Sequence, residues 1–205
     1  MPTLILDPIV EAELIADRRA CRRDRYDEVW NGIYVIVPPA DNEHHELAGK
    51  LSCAITNAFG SQSDVDILAG ANVSDQEGDW TQNYRCPDVV VTFPGSLAVD
   101  RDTHFFGGPD FLTEIISPHD RSRDKLDFYA AIGVRELLLI DRNPWGLELY
   151  ALQGAELKLI ASGTPENGKL LASGVLRLQF RLLARKTGRP QIEVQNLAGP
   201  GRWIV

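Results

Sequence analysis

Phe111-Leu112-Thr113-Glu114-Ile115-Ile116-Ser117, followed shortly by Lys125, is the stretch on which the reading of this 205-residue chain turns. The run is short, apolar and rich in β-branched residues, as a buried strand should be. One acid interrupts it, and Ser117-Pro118 ends it. A helix over about 121–132 comes next and stops at Gly133. At about 100° per residue, Leu126, Phe128, Tyr129 and Ile132 share one side of that helix, and Lys125 falls in the same stripe. Arg123, Asp124 and Asp127 take the opposite, solvated side. A lone lysine in such a stripe would ordinarily snorkel to water. A lysine that follows a strand-borne acid so closely points instead to a shared task, because unpaired charges are costly in a core.

Working outward, Cys86-Pro87-Asp88-Val89-Val90-Val91 opens another strand with an acid, a placement that ordinary turn chemistry also explains. Glu136-Leu137-Leu138-Leu139-Ile140-Asp141 is a short apolar strand between two acids. Strands at about 147–152 and 156–161 suggest a terminal meander turning at Gln153-Gly154. Towards the N-terminus, residues 11–24 read as a polar helix. Tyr26 to Trp30, Asn31-Gly32 and Ile33 to Val37 form a hairpin signal, since Asn-Gly supplies the positive φ angles of a type I′ turn. Asp41 or Asn42 caps a helix over about 43–59, with Leu47, Leu51, Ala54, Ile55 and Ala58 on one face. Further strands are expected at 65–73 and 88–93, with acidic, glycine-bearing loops at 74–87 and 94–109. Interspersed strands and helices make an α/β (α+β) fold.

Composition bounds the function. The net charge of −8 argues against a protein that coats nucleic acid electrostatically, but not against local grip by an enzyme. Residues 61–100 hold Asp64, Asp66, Asp75, Glu77, Asp79, Asp88 and Asp100 against Arg85. The last stretch sets Arg177, Arg181, Arg185, Lys186, Arg189 and Arg202 against Glu193. Cys21, Cys53 and Cys86 show neither zinc spacing nor a disulfide framework. With no spanning apolar run and no signal-peptide layout, a cytoplasmic protein without membrane association is expected.

Asp88, Glu114 and Lys125 together suit phosphodiester hydrolysis. A hard cation such as Mg²⁺ binds through one or two carboxylates plus water and substrate phosphate. The lysine would hold the attacking water or offset charge on the phosphate. A carboxylate-based glycosidase would leave Lys125 unexplained.

Pro87-Asp88, Glu114-Ile115-Ile116-Ser117-Pro118, Asp124-Lys125, Tyr129, Gly133-Val134-Arg135-Glu136 and Leu139-Ile140-Asp141 resemble the pattern of the Uma2 (DUF820-like) family of restriction-endonuclease-like proteins. That family lies within the PD-(D/E)XK nuclease superfamily. Tyr26-Asp27-Glu28 with Asn31-Gly32, and His44 opening its helix, extend the resemblance to roughly residues 24–182 of a single domain over 1–205, leaving a basic C-terminal extension over 183–205. The resemblance implies a restriction-endonuclease-like core, a central mixed sheet flanked by helices, with an N-terminal β-hairpin. It implies a DNA endonuclease using Mg²⁺ or Mn²⁺, with Asp88 and Glu114 as metal ligands. The superfamily's usual lysine slot, two residues after the glutamate, holds Ile116 here, and the helix lysine Lys125 takes its place. Glu28 and His44 are accessory candidates. Glu43 and Glu46 read better as solvated helix acids, and His119 as an exposed loop histidine. A homodimer would suit double-strand cutting. A catalytically inactive binding or assembly module with the same fold is the alternative.

Overall fold

The computed structural model describes residues 8–60, 64–117 and 121–205. Helix α1 (Pro8–Ala20) begins and ends earlier than the sequence suggests and buries none of its residues. It is tied down by Arg18, whose guanidinium bonds both carboxylate oxygens of Asp27. Strands β1 (Glu28–Trp30) and β2 (Ile33–Val35) form the expected hairpin. Asn31 and Gly32 both take positive φ, as a type I′ turn demands. Helix α2 (Asn42–Phe59) is capped by Asp41, whose side chain accepts from the His44 amide. Its buried face is Leu47, Leu51, Ala54 and Ile55.

The run expected as one strand over 65–73 divides into two. Strand β3 (Asp66–Ala69) and strand β4 (Val73–Ser74) belong to different sheets. The chain bends between them at Gly70, which has a positive φ and donates its amide to the Asp88 carbonyl. Strands β5 (Tyr84–Arg85), β6 (Val89–Thr92), β7 (Val99–Asp100), β8 (Phe105–Phe106) and β9 (Phe111–Ile115) follow. Helix α3 (Leu126–Ile132) is preceded by a 3-10 turn over Ser122–Lys125 and ends on left-handed Gly133. Then come β10 (Glu136–Arg142), β11 (Trp145–Gln153) and β12 (Glu156–Gly163).

The expected meander is present but not terminal. Strands β13 (Leu171–Ala172), β14 (Leu178–Leu183), β15 (Gln191–Asn196) and β16 (Arg202–Ile204) add an antiparallel sheet of their own. The basic extension over 183–205 covers the core, in which Ile192, Val194 and Val205 are buried.

The central sheet runs β12-β11-β10-β9-β6-β3. It is mixed: β9 and β10 are parallel, while β6 is antiparallel to β9 and β11 to β10. Two adjacent parallel strands require a crossover, and α3 supplies it. Residues alternate between the two faces of this sheet. Val89, Val91, Phe111 and Ile115 pack with α2 and the C-terminal sheet, whereas Val90 and Leu112 pack with Tyr129 and Ala130 of α3. Glu114 shares the parity of Leu112, so the pleat turns it towards α3. The hairpin joins a second, peripheral sheet, β2-β1-β5-β4-β8-β7, which brings β1 to the same side.

Candidate active site

Glu114 sits on a central strand and is 3% exposed. Its carboxylate is surrounded by donors from the segment that leads into α3. Lys125 Nζ lies 3.0 Å from Oε1 and 3.1 Å from Oε2. The Tyr129 hydroxyl donates to Oε1, and Ser122 Oγ donates to Oε2 at 3.3 Å. Ser122, Lys125 and Tyr129 are spaced by three and four residues, so they form one stripe along the helical segment. The sequence placed Lys125 and Tyr129 on that stripe. It gave no role to Ser122 or to the tyrosine hydroxyl.

The hairpin contributes the next acid. Glu28 on β1 is buried, and its Oε1 accepts from Lys125 Nζ at 2.8 Å and from the Cys86 amide at 2.9 Å. Its Oε2 accepts from Trp30 Nε1 at 2.7 Å. Lys125 thus joins two buried carboxylates, which explains how an ammonium is tolerated at that depth.

Asp88 immediately precedes β6. The ladder pairs Val90 with Leu112 and Val89 with Thr113. One step further in the same register sets Asp88 opposite Glu114. Its amide donates to the Thr113 carbonyl at 3.0 Å, and its Oδ2 accepts the Ile115 amide at 2.7 Å. His44, in the first turn of α2, places Nε2 at 2.6 Å from Asp88 Oδ1, and its Nδ1 is 3.2 Å from Ser117 Oγ. The fold therefore forms two clusters, Glu28–Lys125–Glu114 and His44–Asp88, and the second meets the first through the backbone of β9, where Asp88 accepts the amide of Ile115, the residue after Glu114. Glu43 and Glu46 are each paired with cations, Glu43 with Arg142 and Arg189, and Glu46 with Lys50 and Arg189. His119 lies outside the described residues.

Burial pushes the Glu114 carboxyl well above the ordinary carboxylate range, and Lys125 opposes that push. Burial also raises Tyr129, which keeps its hydroxyl a proton donor, and raises the Cys86 thiol, which keeps it protonated.

Asp88 and Glu114 offer only oxygen, which suits a hard cation. A carboxylate has about four lone-pair sites, and Asp88 commits one on each oxygen, with its side chain 20% exposed. Among the described residues, no three His, Cys, Asp or Glu side chains gather into a ready-made cage. A cation held by these two carboxylates would keep several waters, as Mg²⁺ does.

None of the described helices is long and apolar enough to cross a membrane. No curated protein matches the chain. A solved structure from Anabaena variabilis, described as a putative nuclease belonging to DUF820, is similar to it at 17% identity with a TM-score of 0.57. The match covers 73% of this chain and 82% of that one, and it shows a shared fold. The family model of Uma2, described as "Putative restriction endonuclease", matches residues 17–184. With most of its length matched, this chain belongs to the Uma2 family.

Proposed function

We propose that this protein is a divalent-metal-dependent endonuclease that hydrolyses phosphodiester bonds of DNA. Asp88 and Glu114 would hold Mg²⁺ or Mn²⁺, and residues 1–205 would work as one unit. The observation that carries the reading is the Lys125 ammonium, 3.0 Å from Glu114 Oε1, beside a strand pair whose register sets Asp88 opposite that glutamate. When bound, the cation would activate water and polarise a phosphoryl oxygen. Lys125 would hold the attacking water or offset charge on the phosphate. Glu28 fixes the position of Lys125. His44 and the Ile115 amide fix the Asp88 carboxylate. Tyr129 and Ser122 hold Glu114 in one orientation. Cutting both strands of a duplex would call for two copies of the chain.

A second reading, a catalytically inactive binding or assembly module, draws on one observation. Both Glu114 oxygens already accept bonds from the protein's own side chains. Purified protein incubated with supercoiled DNA and Mg²⁺ or Mn²⁺ separates the two readings. Nicking that is lost in Asp88→Ala and Glu114→Ala supports the nuclease. No cleavage of single- or double-stranded DNA or RNA with either metal overturns it. Calorimetric titration with Mn²⁺ tests the ligand assignment independently of activity, and binding should be lost in the same two variants.

A further inference from the structure

We infer that Arg121, laid over the ring of Trp30 at the edge of the proposed site, is a contact for a backbone phosphate of nucleic acid. This assignment rests on the nuclease reading and deepens it. Trp30 is tied to the site through Nε1, which donates to Glu28 at 2.7 Å, and Glu28 in turn accepts from Lys125. Two guanidiniums lie over the Trp30 ring, each with its central carbon 4.6 Å from the centroid. One belongs to Arg85, which is 3% exposed, lies 4.2 Å from the Phe128 centroid, and donates to the carbonyls of Val29 and Tyr84. It stiffens the indole from within.

The other guanidinium, that of Arg121, is 44% exposed. The ring contact anchors the guanidinium, whose Nε donates to Asp124, and at that exposure its terminal N–H groups can reach a phosphate. Its carboxylate partner, Asp124 at 2.8 Å, is itself 54% exposed, and such pairs exchange easily. Position favours a substrate role. The next residue, Ser122, touches Glu114, so a phosphate held by Arg121 belongs to the chain threading the site.

Among the described residues, Arg123 and Arg142 each pair with two carboxylates, whereas Arg121 pairs with Asp124. Arg123 bridges Asp141 and Glu148, and Arg142 is held by Asp41 and Glu43. A chain with net charge −8 needs local cations to approach a polyanion, and Arg121 supplies one where the chemistry would occur.

Fluorescence anisotropy with full-length protein in EDTA, against labelled 20-base-pair duplex DNA and the corresponding single-stranded DNA and RNA, tests this without turnover. Arg121→Ala should bind about fivefold more weakly than wild type, and its slope of log affinity against log salt on duplex should be shallower by about 0.9. Arg121→Lys, which keeps the charge but not the guanidinium fork, should lie between them. Asp124→Asn should bind more tightly, whereas a merely structural ion pair would make both pair variants fail together. The best-bound of the three probes identifies the nucleic acid. Unchanged affinity and slope in Arg121→Ala, or no binding of any probe by wild type, overturns the assignment. Metal-dependent cleavage by wild type, scored separately, decides the nuclease reading whichever way Arg121 falls.

Discussion

Lys125 Nζ lies 2.8 Å from Glu28 Oε1, so the helix lysine that meets Glu114 is also held by an acid from the N-terminal hairpin. Both carboxylates are buried, and each depends on the same ammonium. Replacing Lys125 by Met should therefore destabilise the fold by about 3–5 kcal/mol, because two buried acids lose their cation. Adding Glu28→Gln and Glu114→Gln to that variant should recover most of the loss. Urea unfolding midpoints of the single and triple variants check both statements.

Tyr129→Phe removes the hydroxyl that donates to Glu114 Oε1 but leaves the ring in its apolar setting. The expected cost is about 1–2 kcal/mol, since Lys125 and Ser122 still satisfy the carboxylate. A loss above 4 kcal/mol in chemical denaturation would mean that the hydroxyl organises the whole network.

Gly108 is fixed by close approach of backbone to backbone. A Cβ there would stand 2.3 Å from the Gly133 carbonyl carbon and 2.4 Å from the Val134 amide nitrogen. Neither atom can yield without moving the end of α3. Gly108→Ala should lower stability by about 3 kcal/mol or leave the protein insoluble. Gly78→Ala, where a Cβ meets nothing within 4 Å, is the control and should melt within a degree or two of wild type.

Glu193 gives the clearest pH signature away from the site. Its burial raises the carboxyl, but the guanidiniums of Arg181 and Arg202 outweigh that push and hold it below the ordinary value. A carboxyl lowered in the folded state contributes stability above its unfolded value of about 4.3, and that contribution is lost as pH falls through the folded value. Glu193→Gln should thus be about 2 kcal/mol less stable than wild type at pH 7. Thermal melts at falling pH should show the gap closing below about pH 4. A gap that stays constant from pH 7 to 3 would show that the cost is packing alone.

The sequence carried the central elements because their signals are local. The helical wheel alone put Lys125 on the buried stripe, and the apolar neighbours of Glu114 placed that acid on an inner strand. The link between Glu28 and Lys125 could not be read in this way, because it joins residues 97 positions apart, one on the peripheral sheet and one on the turn leading into α3. The peripheral sheet was hidden for another reason. Strands as short as Val73–Ser74 and Phe105–Phe106 are too brief to show a period. The C-terminal sheet was legible in principle, since Leu178, Phe180 and Leu182 alternate with Gln179 and Arg181. Its arginines drew attention to charge, yet Arg181 and Arg202 serve to neutralise one buried acid, Glu193.

The seating of Lys125 on the crossover segment separates nearness in space from nearness along the chain. A pattern that fixes the lysine two residues after the strand acid finds Ile116 in this chain and passes over it. A query phrased in space, asking for an ammonium about 3.0 Å from an acid on a central strand, retrieves it at once. The contact between Glu114 and Lys125 is made by the sheet and its crossover segment together, and it does not depend on a fixed spacing along the chain.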